Sequence, residues 1–382
     1  MNFELTEEQS AIFDLAKDFA EKSISPHAIE WDQDRHFPVE VIKQCAQLGM
    51  SAIYVGEEHG GSALSRLDGT LIFEGLASGC PSTAAFLSIH NMVTWMVDSF
   101  GSDEMRAKWV PKLVSMEAIA SYCLTEPNSG SDASALRTKA VKNGDDYILN
   151  GTKAFISGGG VSDLYLAMVR TGGDGPKGIS SVLVENGTQG LSFGAAEKKM
   201  GWHTQPTTEV QFDDCKIPQS NLLGVEGKGF TYAMKGLDGG RLNIAACSLG
   251  GAQSALDKAT QYVQERKAFG KPIATLQSIQ FKLADMETEL QAARIFLRQA
   301  AFKLDTNAHD ASKHCAMAKR FVTDTCFNVA NEALQIHGGY GYLADYGIEK
   351  IVRDLRVHQI LEGTNEIMRV IIARNLMDEN KA

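Results

Sequence analysis

The sequence predicts a mostly α-helical protein built around one central β domain, in three parts: a helical unit over residues 1–117, a β unit over 118–227 and a helical bundle over 228–382. Three observations lead there. Apolar residues recur at helical spacing in the first and last thirds of the chain. Between them, short β-branched and aromatic runs alternate with glycine-rich turn signals. At 382 residues the chain also exceeds what one small core organises, which suggests two or three domains or one elaborate enzyme fold.

The elements follow in order. Thr6 and Gln9 form a capping-box pair ahead of an apolar stripe of Ile12, Leu15, Ala16 and Phe19. Pro38 opens a helix that Gly49 closes, Ser65 with Asp68 starts another, and Pro81 begins a long apolar helix ended by Gly101. Within it, "IHNMVTWMV" reads as core. The runs "IASYCL", "YILNGTKAFI", "DLYLAMV", "ISSVLV" and "TTEVQF" read as an antiparallel sheet with hairpins. Beyond Gly229, helices are expected over 242–267, 276–304 and 312–337, the last stopped by "GGYG" at Gly338. Long helices, partly polar and partly apolar, suggest a bundle with an oligomer interface.

Composition narrows the function. A net charge of −10 argues against a protein that coats nucleic acid. Seven scattered cysteines without CxxC spacing fit reduced thiols in a cytoplasm rather than disulfides or a zinc site. The histidines show no metal-ligand spacing, so no metal site is expected. No targeting segment or membrane span is read from Met1 onward, which implies a cytoplasmic protein or a processed form, for instance of the mitochondrial matrix.

Several stretches could carry chemistry. There is neither GxGxxG after an opening strand nor GxxxxGK[ST]. "TEPNSGSD" ends a strand in a loop rich in hydroxyls and backbone N–H groups, which suits phosphate or polar ring atoms, although an ordinary surface turn has the same composition. In "KAFISGGG", Phe155 and Ser157 should share a face, where they could meet a flat heterocycle or simply end a hairpin. Arg266 and Lys267 suit a helix C-terminus, and Gly338–Gly339 a helix stop. In "HQILEGTNEIMRVIIARN", Thr364 is a natural N-cap, Glu366 lies in the first turn, and Ile367, Val370 and Ile371 form an apolar stripe continued by Arg374. Glu362 stands before Gly363 either as a dipole-complementing acid or as a functional carboxylate.

The ordered set "YCLTEPNSGSD", "FISGG", "ERKAFGKPI", "LQIHGGYGY" and "ILEGTNEIMR" resembles the acyl-CoA dehydrogenase family over essentially the whole length. "IEWDQDRHFP", "SIHNM", "DSFG", "TGGDGPKGIS" and "GWHTQPT" resemble its short branched-chain branch. The resemblance implies a helical domain, an antiparallel β-barrel or sandwich domain and a four-helix bundle, usually in a homotetramer. It implies FAD, with the flavin along Tyr122, Cys123, Leu124, Thr125, Glu126, Pro127, Asn128, Ser129, Gly130 and Ser131 and against Phe155, Ile156 and Ser157. Family members often carry Trp and Thr at the positions of Phe155 and Ser157. Arg266, Phe269, Leu276, Gln277 and Gln335, Ile336, His337, Gly338 and Gly339 match positions that hold the adenine dinucleotide half, partly from a neighbouring subunit. Thr364, Asn365 and Glu366 match a further flavin contact. The acyl-CoA is expected at Ser131, at a turn formed by Asp238, Gly239, Gly240 and Arg241, and at Arg374.

Glu362 then matches the catalytic base. Some family members place the base at the position of Gly240 instead, which here has no side chain. The implied reaction is α,β-dehydrogenation of a short branched acyl-CoA, isobutyryl-CoA to methacrylyl-CoA as in valine breakdown, with electrons passed to electron-transfer flavoprotein. Butyryl-, 2-methylbutyryl- or isovaleryl-CoA are alternative substrates, and Leu361 with the "FLSIHNM" helix should line the acyl pocket. An acyl-CoA oxidase, a flavin-bearing nucleic-acid binder and a ligand-free helical scaffold, which would leave the motif set unexplained, are the remaining readings.

Overall fold

A computed structural model describes residues 4–379. Met1, on which the expectation about a targeting segment rests, and the last three residues of the expected C-terminal unit lie outside the described residues. The N-terminal part comprises α1 (Glu7–Phe19), α2 (Ala28–Asp34), α3 (Val39–Gln47), α4 (Arg66–Ala77), α5 (Pro81–Phe100) and α6 (Asp103–Val114). The expected capping box is made at Thr6, which accepts from the Gln9 N–H, and the helix start expected at Ser65 is a second one, Ser65 accepting from the Asp68 N–H; in each the partner side chain accepts from the cap's own backbone N–H. α5 is core on most of its surface, as its apolar run requires. Its His90 is fully buried between the Leu113 carbonyl (2.9 Å) and the Ala120 N–H (3.2 Å), and burial lowers it to about 4.

The chain then forms β1 (Ala120–Cys123), β2 (Lys139–Asn143), β3 (Asp146–Ser157), β4 (Leu164–Arg170), β5 (Ile179–Glu185), β6 (Leu191–Phe193), β7 (Thr207–Pro218) and β8 (Leu222–Leu223). They make one eight-stranded sheet in the order β6-β7-β3-β2-β4-β5-β8, with β1 also paired to β4. The antiparallel expectation holds for most pairs, but β1 runs parallel to β4, Ala120 opposite Leu164, and β2 touches β4 in parallel. Asn150–Gly151 lies inside β3, where the register against β7 shifts, rather than at a turn; the hairpin turn is at Asn143–Gly144.

The C-terminal part contains α7 (Gly229–Glu265), a small hairpin of β9 (Lys267–Ala268) and β10 (Lys271–Pro272), α8 (Gln277–Asp305), α9 (Ala311–His337), α10 (Ile348–Arg356) and α11 (Asn365–Glu379). α7, α8 and α9 pack on one another, and α10 and α11 pack on α9. One core cluster unites this bundle with α1, α3, α4 and α5, so the helical parts share an interior. The sheet has a cluster of its own, centred on Tyr147, Leu149, Tyr165 and Val182.

α7 starts well before residue 242, so the expected turn at Asp238–Arg241 is instead helix. The glycines that suggested a turn are there for close packing. A Cβ on Gly236 would sit 2.8 Å from the Met96 sulfur, and one on Gly239 would overlap the Arg66 guanidinium. α11 also departs from its expected stripe: Val370 is 40% exposed and Arg374 is exposed, whereas Asn365 and Met368 are the buried residues. All seven cysteines are free and buried, in α3, α7, α9, β1, β7 and the α4–α5 junction. Burial pushes the Cys123 and Cys315 thiols up to about 12 and Cys215 up to about 11. Among the described residues, no helix is long and apolar enough to cross a membrane.

Candidate active site

The structure gathers Glu362, Tyr122, Asp238, Gly240 and Arg241 in one place. Glu362 lies in the loop between α10 and α11, and its carboxylate leans on α7. A Cβ added to Gly240 would be 2.6 Å from Glu362 Oε2 and 2.9 Å from Cδ. The missing side chain at Gly240 is therefore the space that the carboxylate fills. Glu362 has φ 56° and Gly363 φ 89°, two left-handed residues in succession. For glycine this conformation is easy; for glutamate it costs on the order of 1–2 kcal/mol.

Arg241, itself buried, donates from Nε to the Glu362 carbonyl oxygen at 3.2 Å and pairs with Asp238 at 2.6 Å. Asp238 also accepts from the Ser312 hydroxyl. Glu362 Oε2 and the Tyr122 hydroxyl are both buried without a hydrogen-bond partner. Burial raises Glu362 to about 7, against the downward pull of Arg241 and Lys319, and raises Tyr122 far above the usual phenol range. A carboxylate held near neutrality and freed of hydrogen bonds can accept a proton from a weak carbon acid at physiological pH.

The loop after β1 is firmly built. Cys123 and Leu124 are buried, and the Thr125 carbonyl accepts from the Ala154 N–H at 2.8 Å. The Glu126 carboxylate accepts from the Arg137 and Thr138 N–H groups (2.6 and 2.9 Å) and from Lys153 Nζ (2.8 Å). Its side chain is committed to holding the loop. Glu126 and Ser129 exchange backbone hydrogen bonds, and Ser129 Oγ donates to the Asp132 carbonyl, so those N–H groups of the expected nest are already engaged. Pro127, Asn128, Gly130 and Ser131 are exposed. Across the strand end, Phe155 is 67% exposed with φ 59°, Ile156 is buried and Ser157 is half-buried. An exposed aromatic held in a left-handed conformation at a bulge presents a ring outward for stacking.

A second group of expected residues lies around a cavity of about 440 Å³ at the junction of α7 and α9. It is lined by Arg266, Ile336, His337, Gly338, Gly339 and Tyr340, among others, with Arg266 5.2 Å above the Tyr340 ring. His337 stacks on Tyr262 at 4.3 Å. A Cβ on Gly338 or Gly339 would meet nothing within 4 Å. Phe269 projects from the small hairpin, 92% exposed, and Gln277 and Gln335 are exposed. Leu276 precedes α8. Near Glu362, Thr364 caps α11 by accepting from the Ile367 N–H (3.3 Å), Glu366 is exposed, and Asn365 is bound into α9. Arg374 sits on the exposed side of α11, away from any buried stripe.

Lys319 of α9, which sequence reasoning did not single out, is fully buried and donates to the Gly363 carbonyl and to Asn365 Oδ1, both at 2.8 Å. Its only sequence signal is a lysine among Ala316, Ala318 and Val322, and such a lysine on a helix usually snorkels.

The donor set suits a flavin dinucleotide: an unpartnered phenol and an unpartnered carboxylate oxygen lie within electrostatic reach of one another, an exposed ring and a hydroxyl end β3, and an arginine–glycine cavity is built at the junction of α7 and α9. Sequence profiles described as acyl-CoA dehydrogenase N-terminal, middle and C-terminal domains match residues 6–117, 121–215 and 227–377. The mitochondrial isobutyryl-CoA dehydrogenase of Bos taurus is 55% identical over 98% of this chain and 90% of its own length. The solved structure of butyryl-CoA dehydrogenase from Megasphaera elsdenii superimposes with a TM-score of 0.95 at 40% identity, covering 99% of this chain and all of that one. A structure of PigA with FAD and proline gives a TM-score of 0.95 at 30% identity, over 98% of this chain and 99% of that one. With three matched domains and this carboxylate-centred site, the chain belongs to the acyl-CoA dehydrogenase family and is an oxidoreductase.

Proposed function

We propose that the protein binds FAD and dehydrogenates isobutyryl-CoA to methacrylyl-CoA, with Glu362 as the base. The observation that carries this reading is the Glu362 carboxylate, packed over Gly240 with one oxygen unpartnered and its pKa raised to about 7. Glu362 removes the α-proton, and the β-hydride leaves on the same substrate, so the acyl group loses one proton and one hydride as its double bond forms. Bound FAD supplies the hydride acceptor. Arg241 and the left-handed turn hold the Glu362 backbone, and burial keeps the unpartnered Oε2 from water that would level its basicity.

Phe155, Ser157 and the loop from Tyr122 to Ser131 would hold the flavin ring, Glu126 acting through the loop backbone it braces. Arg266 and Gly338–Gly339, with Phe269 and Gln335, would hold the dinucleotide arm, and Thr364 to Glu366 a further flavin edge. Asp238 and Arg241 would meet the acyl-CoA. Arg374, given its exposure, would serve only a distal part of the ligand. The apolar residues exposed on α8 (Phe281, Ile295, Phe302) and on α11 (Leu376, Met377) support a homotetramer. Electron-transfer flavoprotein would reoxidise the enzyme, in a pathway such as valine breakdown. Seven unpaired, buried cysteines support a reducing compartment such as the cytoplasm. The domain division follows residues 1–117, 118–227 and 228–382.

Anaerobic titration with isobutyryl-, butyryl- and isovaleryl-CoA, followed by visible flavin absorbance, tests the reading. Fastest bleaching is expected with isobutyryl-CoA; a faster competitor would retain the chemistry and replace the substrate. Glu362→Gln should keep bound flavin yet lose bleaching by several orders of magnitude. Bleaching at an undiminished rate would remove Glu362 from its role.

A further inference from the structure

Two successive carbonyls in the loop that carries Glu362 are each held by a buried cation. Arg241 reaches the Glu362 carbonyl from α7, and Lys319 reaches the Gly363 carbonyl from α9. The loop is thus clamped where its backbone is left-handed at both residues. Arg241 has a carboxylate partner in Asp238. The two hydrogen-bond partners of Lys319 are neutral oxygens, those of Gly363 and Asn365. A fully buried ammonium with neutral partners is expensive unless a nearby negative charge compensates it.

We infer that Lys319 is a positioning residue for Glu362: its ammonium fixes the left-handed turn that aims the carboxylate, and its charge favours the ionised, proton-accepting form. The inference rests on the reading of Glu362 as the base. Asn365 extends the clamp, because its amide nitrogen donates to Asp324 (2.7 Å) and Thr323 (3.0 Å), and Gln359 donates to the same Asp324 oxygen at 2.9 Å. The charged and titratable groups around Glu362 are Arg241 and Asp238 of α7, Tyr122 of β1 and Lys319 of α9. Behind Lys319 stand Asp324 of α9, Glu366 of α11 and His358 of the preceding loop. Burial lowers Lys319 itself to about 7, against the pull of Glu362, which fits two groups whose protonation is linked.

The test is the pH dependence of flavin bleaching by isobutyryl-CoA, measured anaerobically on the holoenzyme. Lys319→Gln keeps a donor for the Gly363 carbonyl and removes the charge, whereas Lys319→Met removes both. The acid limb should move upward by about one pH unit in each, and Met should also lower the plateau rate about tenfold as the turn loosens. Lys319→Arg, which retains a cation, should keep the wild-type limb, and it decides the matter if the neutral variants do not load flavin. A limb unmoved in Lys319→Gln, or moved in Lys319→Arg, overturns the inference. Glu362→Gln run alongside separates the two claims. If it bleaches normally, the base assignment fails and this inference with it; if it is silent while the Lys319→Gln limb stays put, only this inference fails.

Discussion

Replacing Gly240 by alanine should separate stability from catalysis. The new Cβ would stand 2.6 Å from Glu362 Oε2 and 3.0 Å from Oε1, where ordinary contact begins near 3.4 Å. The carboxylate must therefore retreat by about 0.8 Å. Because it is the free end of a flexible side chain, that retreat costs the fold little. Alanine inside α7 also gains about 0.5–1 kcal/mol of helix stability over glycine. Catalysis has no such slack, since a displacement near 1 Å at a reacting group costs on the order of 10²-fold. We expect a thermal midpoint equal to or slightly above that of the wild type, with first-order bleaching by isobutyryl-CoA slowed roughly 30- to 100-fold. Scanning fluorimetry and stopped-flow absorbance on the same preparation measure both. A bleaching rate within about threefold of wild type would show that the carboxylate need not occupy the space over Gly240.

The pH dependence has a definite sign. Burial raises Glu362 to about 7, so its proton-accepting form is lost as pH falls through that value. The bleaching rate should fall roughly tenfold per unit below it, and a rate that is flat or rising toward pH 5.5 would count against the assignment. Glu126→Gln strips the buried Lys153 of its charged partner and weakens the brace on Arg137 and Thr138. A loss of about 3 kcal/mol in urea unfolding is expected, together with reduced flavin retention.

Much of the fold could be read directly from the residues. Capping boxes at Thr6 and Ser65, the proline at residue 81 and the glycine stop at residue 338 act locally, so their outcomes are visible locally. What escaped depended on partners distant in sequence. "GLDGG" has the composition of a turn, and only the approach of Met96, Arg66 and Glu362 makes glycine the residue that lets α7 run through it. β2, β6 and β8 are short and weakly patterned, and β1 pairs in parallel with β4, a strand remote from it in sequence. The α11 stripe was misplaced because α9 buries the face of Asn365 and Met368. The site divides in the same way. Glu362 stood out through its setting in an ordered motif, whereas Lys319 is indistinguishable from a surface lysine until α9 is laid against the loop.

The seven enclosed thiols give the molecule an internal gauge of its own opening. Five of them (Cys45, Cys80, Cys247, Cys315 and Cys326) lie in the core that the helical parts share and two (Cys123 and Cys215) in the core of the sheet, and burial holds those of Cys123, Cys315 and Cys215 in the unreactive protonated state at neutral pH. An alkylating reagent added to the intact protein can therefore mark a given cysteine only when the layer around it comes apart. The order in which the seven peptides become labelled on warming would trace whether sheet or bundle yields first. No probe would have to be engineered into the chain.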